Sequence, residues 1–213
     1  MKLLNFERVL CISPHPDDVE LGMSGTILKY KDTTFDVLCL TNGGDFDYTT
    51  SVTRLNEMEV FWNSFGRKNV SLFKTSYELL NNLNEDGWIN YIEVNYVNKF
   101  NYDCIFLPNE YDSHFEHRFV AGFGKTLIRK KSINLVQYYT PSTYDNWTPN
   151  FYVDIDDVYK RKIKCLKYFE SQGDRFYFED HVLRAFHSDF QCSKKKINYV
   201  EKYKILDLFI GRK

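Results

Sequence analysis

Short apolar runs rich in β-branched residues recur along the chain, and segments of helical length separate them. Strands that alternate with helices in this way form a parallel sheet that helices cover on both faces. This alternation constrains the fold more than any other feature. It predicts strands at Arg8–Ser13, Phe35–Thr41, Asn69–Phe73, Asp103–Pro108 and Ile133–Tyr139.

Apolar residues spaced by three or four positions occupy the gaps between these strands, as in an amphipathic helix. They predict helices at Ser24–Tyr30, Val52–Phe65, Trp88–Phe100, His114–Arg129 and Val158–Gln172. The sequence contains no repeat and no linker. We therefore expect an α/β fold, with a Rossmann-like, mostly parallel sheet and helices on both faces. Residues 1–213 form one domain in this interpretation, and 176–213 form an extension packed on its body.

The charge balance limits the classes of partner. Lys and Arg number 28 against 29 Asp and Glu, which gives a formal net charge of -1. A protein that grips nucleic acid or an anionic membrane needs a basic surplus, so neither partner is expected. The chain has no long apolar segment and no signal peptide, and its five cysteines are scattered. These features predict a cytoplasmic protein without a membrane segment. The oligomeric state stays open.

Polar residues follow three of the predicted strands. They lie in the segments 13–22, 41–45 and 108–118, which contain three of the five histidines. In an open parallel sheet the functional crevice lies beyond the carboxyl ends of the strands. We therefore expect these segments to meet at one site.

The residue types in these segments are those of a metal site. His15 and Asp18 can chelate one ion from one side, and His114 and His117 share one face of a helix that Asp112 or Ser113 would cap. Three protein ligands and an open position for water form a common catalytic zinc site. A single loop histidine is more often an ordinary surface residue, but the two patterns together favour a metal hydrolase.

Six segments, in order, resemble the PIG-L/LmbE-like family of zinc-dependent N-deacetylases. The first carries the family's HPDD-x-E-x-G signature, and the fourth is similar to its D-x-H-x-x-H-R motif. The segments are 14–22, 41–44, 54–66, 112–118, 154–172 and 199–203. The resemblance therefore extends over nearly the whole chain.

The resemblance implies a metal and its ligands. It assigns His15, Asp18 and His117 as ligands of Zn²⁺, and another divalent metal such as Fe²⁺ is an alternative. Zinc lowers the pKa of its water to about 7 and polarises an amide carbonyl, which suits this chemistry.

The resemblance also implies the other roles. Asp17 would be the general base that takes a proton from the water, and His114 would stabilise the oxyanion and protonate the leaving amine. Arg54 would bind polar groups of the substrate. One departure from the family pattern concerns Glu116, which replaces the usual Asp, so that its bond to His114 is expected to be differently placed. Phe115 likewise replaces a proline.

The expected reaction is hydrolysis of an N-acetyl group on a small amino sugar or glucosamine conjugate. A hydrolase of another amide and a non-catalytic carbohydrate-binding relative are the alternatives. A phosphoacceptor receiver module is a third, but it leaves the histidines of both motifs without a role. Aromatic residues expected near the mouth of the site are Phe46, Tyr48, Tyr111, Tyr139 and Trp147.

Overall fold

Seven strands form one sheet in the computed structural model, which describes residues 1–43, 48–66, 68–75, 77–129 and 131–210. The order across the sheet is β3-β2-β1-β4-β5-β7-β6. The strands are β1 Arg8–Ser13, β2 Thr34–Cys39, β3 Val70–Lys74, β4 Cys104–Pro108, β5 Asn134–Tyr138, β6 Phe151–Asp154 and β7 Val200–Asp207.

The helices lie between these strands along the chain. They are α1 Asp18–Lys29, α2 Tyr48–Ser64, α3 Glu85–Ile92, α4 Phe115–Gly124, α5 Asp156–Leu166, α6 Asp180–His187 and α7 Phe190–Ser193. Helix α1 begins earlier than the pattern predicts, because the Glu20 side chain accepts a hydrogen bond from the backbone N–H of Asp17 and caps its first turn. The predicted helix 88–100 is observed as α3, which continues into a π-helix at Glu93–Val97.

The five predicted strands pair in parallel, so the expected mostly parallel α/β fold is confirmed. Side chains alternate along β1. Val9 and Cys11 pack into a core with residues of α1, α2 and α5, whereas Leu10 and Ile12 pack into a core with α3 and α4. Strands buried on both faces need continuous apolar runs, which is why they stand out in the sequence.

The direction in which the sheet is built reverses at β1. The chain runs outward from β1 through β2 to β3, and then returns to place β4 on the other side of β1. The two strands pair in the register Val9 to Cys104, Leu10 to Ile105 and Cys11 to Phe106. Such a switch point opens a crevice beyond the carboxyl ends of the two strands.

The C-terminal residues differ from the expected extension. Strand β7 lies inside the sheet, where it pairs antiparallel with both β5 and β6. Residues 176–213 therefore do not simply pack on the finished body, since they contribute the strand that joins β6 to the rest of the sheet. Four of the eight residues in Val200–Asp207 are charged, so a search for continuous apolar runs overlooks this strand.

Two of the family-like segments meet in the core. The ammonium of Lys162 on α5 donates to Glu201 Oε1 at 2.6 Å and to the carbonyl oxygen of Leu21 at 2.5 Å. Glu201 on β7 also accepts hydrogen bonds from the backbone N–H groups of Gly25 and Thr26 in α1. Both charged side chains are fully buried. This pair fastens α5 and β7 to the helix that begins at the site.

Replacing Lys162 by Met should destabilise the protein strongly, because the buried Glu201 carboxylate loses its only charged contact among the described residues. We expect a loss of about 3–5 kcal/mol in the free energy of unfolding, measured by denaturant titration. Lys164→Met changes an exposed lysine of the same helix and should have almost no effect. Equal stability of the two variants would contradict a structural role for the pair.

No helix within the described ranges has the length and apolar character needed to cross a membrane. All five cysteines are buried and free. The cysteines therefore pack in the interior as small apolar side chains.

Candidate active site

The loop after β1 brings His15, Asp17 and Asp18 to the switch point. Asp18 Oδ2 accepts a hydrogen bond from the backbone N–H of His15 at 2.9 Å and lies 3.1 Å from His15 Nδ1. Asp17 has a backbone φ of 126°, a conformation that residues other than glycine rarely adopt. Its backbone N–H donates to Glu20 Oε2 at 3.0 Å, which helps to hold this strained conformation. Strain of this kind is typical of functional sites.

The loop after β4 supplies the other histidines. Asp112 is fully buried, and its Oδ1 accepts the backbone N–H of His114 at 2.7 Å. Its Oδ2 lies 3.0 Å from His117 Nδ1 and also accepts a hydrogen bond from the Thr140 hydroxyl. The expected cap at Asp112 or Ser113 is wrong, because His114 is the N-cap of α4 and no side chain caps the helix; Asp112 orients His117 instead. A carboxylate on one imidazole nitrogen leaves the other nitrogen to bind a metal.

The two loops bring three histidines together. One ring nitrogen from each of His15, His114 and His117 can be chosen so that all lie within 4.8 Å of one another. Asp18 joins the group, since its Oδ1 lies 3.1 Å from His117 Nε2. The side chains differ in exposure: 10% for His15, 5% for His117 and 43% for His114. His114 thus faces the solvent side of the cluster.

The cluster fits a divalent metal ion. His117 Nε2 is buried, points into the cluster and makes no hydrogen bond among the described residues. An imidazole nitrogen in that position, a second imidazole on His15 and the Asp18 carboxylate are the donor types that zinc prefers.

Charges inside the cluster shift the pKa values in opposite directions. Burial by itself lowers the pKa of His117, but the carboxylates of Asp18 and Asp112 raise it to about 10. Burial works against ionisation of Asp18 as well, but His117 and His15 hold its pKa well below the usual value. The pKa of His114 is lowered by burial and by the neighbouring imidazoles. The carboxylates and the imidazoles of His15 and His117 therefore stabilise one another's charged forms.

Glu116 lies closer to His15 than to His114, the residue with which its bond was expected. Its Oε2 lies 2.5 Å from His15 Nε2 but 4.0 Å from His114 Nδ1. The carboxylate therefore contacts His15 directly and lies near His114 without a hydrogen bond.

Arg54 on α2 is buried, and it connects the loops after β1 and β2. Its guanidinium donates to the carbonyl oxygen of Gly43 at 2.7 Å, to that of Pro16 at 3.2 Å and to Asp17 Oδ2 at 3.1 Å. A Cβ at position 43 would lie 2.5 Å from this guanidinium, so the turn requires glycine there. Arg54 also lines the cleft. Its contact with the substrate remains a prediction.

Hydrogen bonds join another part of the cleft lining to α2. Glu57 accepts hydrogen bonds from the backbone N–H and the hydroxyl of Ser171, and the adjacent Gln172 lines the cleft. The family-like segments 54–66 and 154–172 therefore meet beside the site.

A cleft of about 570 Å³ opens over the cluster. Its aromatic lining differs from expectation: Tyr144, Phe176 and Tyr177 line it, and none of these was singled out in the sequence. Tyr139 and Trp147 instead stack on each other, with ring centroids 5.4 Å apart. Tyr111 does not line the cleft. Phe46 and the side chain of Tyr48, together with Gly44 and Asp45, lie outside the described residues.

The fold and the site together define an α/β protein with a cleft at the sheet's switch point that can hold a divalent metal. The family model described as "PIG-L: GlcNAc-PI de-N-acetylase" matches residues 10–128. The matched stretch covers more than half of the chain and contains all six predicted site residues. The chain belongs to the PIG-L family, which places it among the deacetylases, and the resemblance inferred from the sequence is confirmed.

Individual relatives agree with this assignment. Diacetylchitobiose deacetylase from Thermococcus kodakarensis is 26% identical, over 78% of this chain and 70% of the relative. The solved structure of N,N′-diacetylchitobiose deacetylase from Pyrococcus horikoshii superposes with a TM-score of 0.73 at 24% identity, covering 95% of this chain and 85% of that one.

The fold alone does not determine the reaction. GalB, a 4-carboxy-2-hydroxymuconate hydratase from Pseudomonas putida KT2440, has a TM-score of 0.74 at 14% identity and covers 97% of this chain and 99% of its own. The chemistry must therefore be argued from the residues of the site.

Replacing Asp112 by Asn should weaken zinc binding about 10- to 100-fold, because the amide can stabilise the tautomer of His117 that carries its proton on Nε2. Competition with a chromophoric chelator measures the affinity. Glu110→Gln, which removes a carboxylate paired with Lys125 two residues earlier, is the matched control. If both variants bind zinc as tightly as the parent protein, Asp112 does not orient a ligand.

Proposed function

We propose that residues 1–213 form one zinc-dependent deacetylase domain that removes the N-acetyl group from a small amino sugar or glucosamine conjugate in the cytoplasm. The observation that carries the proposal is the arrangement of Asp17 and His114 at one cleft with His15, Asp18 and His117. A general base, a general acid and the ligands of a metal could then act on one amide bond bound in the cleft.

The proposed ligands are His15, Asp18 and His117. The low exposure of both histidines and the orientation of His117 by Asp112 support this choice over the more exposed His114. A bound zinc ion supplies a Lewis acid for the amide carbonyl and brings the pKa of water near neutrality. Fe²⁺ is the alternative metal.

Asp17 is the proposed general base. It precedes the ligand Asp18, and Arg54 fixes its carboxylate by a hydrogen bond of 3.1 Å. Burial raises the pKa of Asp17 to about 6, although the positive charge of Arg54 acts to lower it. A base with a pKa close to the working pH accepts a proton from water effectively and can pass it on later.

His114 is the proposed acid and oxyanion donor. Its exposed ring faces the cleft, where its N–H can reach a carbonyl oxygen that gains negative charge. Because the pKa of His114 is lowered, its protonated form is a stronger acid than free histidine towards the leaving amine.

Variants of the two histidines should separate binding from catalysis. His117→Ala should lose most of the bound zinc, because a ligand is removed. His114→Ala should keep its zinc but lower kcat by about 10²–10³ with little change in KM, as expected for a donor that acts in the transition state. Elemental analysis and acetate release are the measurements.

The reverse result, with zinc lost from His114→Ala and kept by His117→Ala, would exchange the two roles. Asp17→Asn supplies the matched control for an intact site without its base. It should retain zinc and have almost no turnover. Turnover equal to that of the parent protein would show that Asp17 is not the general base.

The pH dependence should respond to Arg54. Asp17 acts only as the carboxylate, so kcat/KM should fall as the pH drops through its pKa. Arg54→Met removes the positive charge that lowers this pKa, so the acidic limb should move to higher pH. Arg129→Met, which removes a surface arginine paired with Glu93, should leave the limb in place. An acidic limb unmoved in Arg54→Met would contradict Asp17 as the base.

A further inference from the structure

The residue proposed as the general base has a strained backbone. Asp17 adopts φ 126° and ψ -22°, and residues other than glycine rarely have a φ of this sign. Rotation about φ swings the Asp17 side chain relative to the loop that carries His15. A conformation of this kind persists only where neighbouring contacts hold it. The contacts of the Asp17 backbone therefore help to determine where its carboxylate points.

Three groups of Asp17 are each held by a different residue. Arg54 donates to the carboxylate oxygen Oδ2 at 3.1 Å, and the backbone N–H of Leu21 donates to the carbonyl oxygen at 2.8 Å. The backbone N–H of Asp17 donates to Glu20 Oε2 at 3.0 Å. This last contact acts directly on φ, because it holds the peptide group that precedes the Asp17 Cα.

The Glu20 carboxylate is in turn held by a tryptophan of α2. Glu20 is fully buried, and its second oxygen, Oε1, accepts a hydrogen bond from the indole N–H of Trp62. The Trp62 ring is buried and packs against Phe61 and Phe65, with ring centroids 5.1 Å and 5.5 Å away. One donor on each oxygen fixes the orientation of the carboxylate. A contact between α1 and α2 is thereby transmitted to the backbone of Asp17.

We propose that Trp62 and Glu20 are positioning residues for the general base. The indole N–H orients the Glu20 carboxylate, which holds the backbone N–H of Asp17 and so keeps the Asp17 carboxylate aligned in the cleft. Neither Trp62 nor Glu20 lines the cleft, so both act through Asp17 and not on the substrate. This inference rests on the proposed role of Asp17 in the deacetylase and adds the contacts that align it.

Trp62→Phe tests the proposal, since it keeps an aromatic ring in the core and removes the N–H donor. The buried Glu20 oxygen then lacks this donor, so the carboxylate can turn away from Asp17. We expect kcat for acetate release to fall at least about tenfold, because a displacement of about 1 Å at the reacting groups can cost about 10²-fold in rate. KM and zinc content should stay near those of the parent protein. Glu20→Gln, which offers one carbonyl oxygen to two donors, should give the same pattern.

Trp88→Phe is the matched control. Trp88 is fully buried, and its indole N–H donates to the carbonyl oxygen of Leu80 at 2.7 Å in the core on the other side of the sheet. The control therefore removes the same kind of buried hydrogen bond and should also lower the melting temperature, but it should leave kcat unchanged. A merely structural role for Trp62 predicts the same behaviour for both variants.

Hydrogen exchange of the Asp17 amide, followed by NMR in the zinc-loaded protein, supplies a readout that does not depend on turnover. The exchange should be faster in Trp62→Phe and in Glu20→Gln than in the parent protein, because the Asp17 N–H loses a fixed acceptor. Trp88→Phe should not change it. If Trp62→Phe does not fold, Glu20→Gln decides the result alone.

The outcomes separate this inference from the proposed function. An unchanged kcat in both Trp62→Phe and Glu20→Gln, while Asp17→Asn is inactive, overturns the positioning role and leaves the deacetylase in place. Loss of zinc together with kcat also overturns it, because the pair then holds the metal loop and not the base. Faster exchange of the Asp17 amide without any acetate release by the parent protein supports the contact and overturns the deacetylase function.

Discussion

Parallel pairing of β1 with β4 is the constraint on which the site depends. Each strand ends in a loop that is too polar to be buried alone, and the three paired positions from Val9–Cys104 to Cys11–Phe106 set the two loops side by side. A shift of one residue in this register would exchange the side chains that β1 presents to the two cores and move His15 away from His117. The two packed cores on either side of the sheet therefore hold the register, and through it the geometry of the site.

Carboxylates surround the histidines at this point, and their charges explain the local order. Asp18 contacts His15 and His117, while Asp112 holds the far nitrogen of His117. Buried charges of one sign would be costly, but these carboxylates alternate with imidazoles, and His117 Nε2 is left without a hydrogen bond among the described residues. The same arrangement presents nitrogen and oxygen donors to a metal. The contacts between carboxylates and imidazoles thus stabilise the two loops and also place the donor atoms for a metal.

The sequence predicted the parts of the molecule that depend on local pattern. The five parallel strands are continuous apolar runs, and the ligand-type residues of 15–18 and 114–117 directly follow two of them. Strands β6 and β7 were missed, because a four-residue strand and a strand in which half of the residues are charged carry weak local signals. The role of Asp112 was missed for another reason: its contact with His117 depends on how the loop folds. Tyr144 and Phe176 reach the cleft from segments without any motif, so only the tertiary structure could identify them.

Acetate release from metal-free protein to which zinc is added stepwise tests the central claim most directly. The account predicts no release of acetate from N-acetylglucosamine conjugates before zinc is added, and a rise that levels off at about one equivalent, as one catalytic site requires. Release of acetate at full rate by the metal-free protein would contradict the account. So would a protein that binds one equivalent of zinc in this cleft and releases no acetate from any of these conjugates.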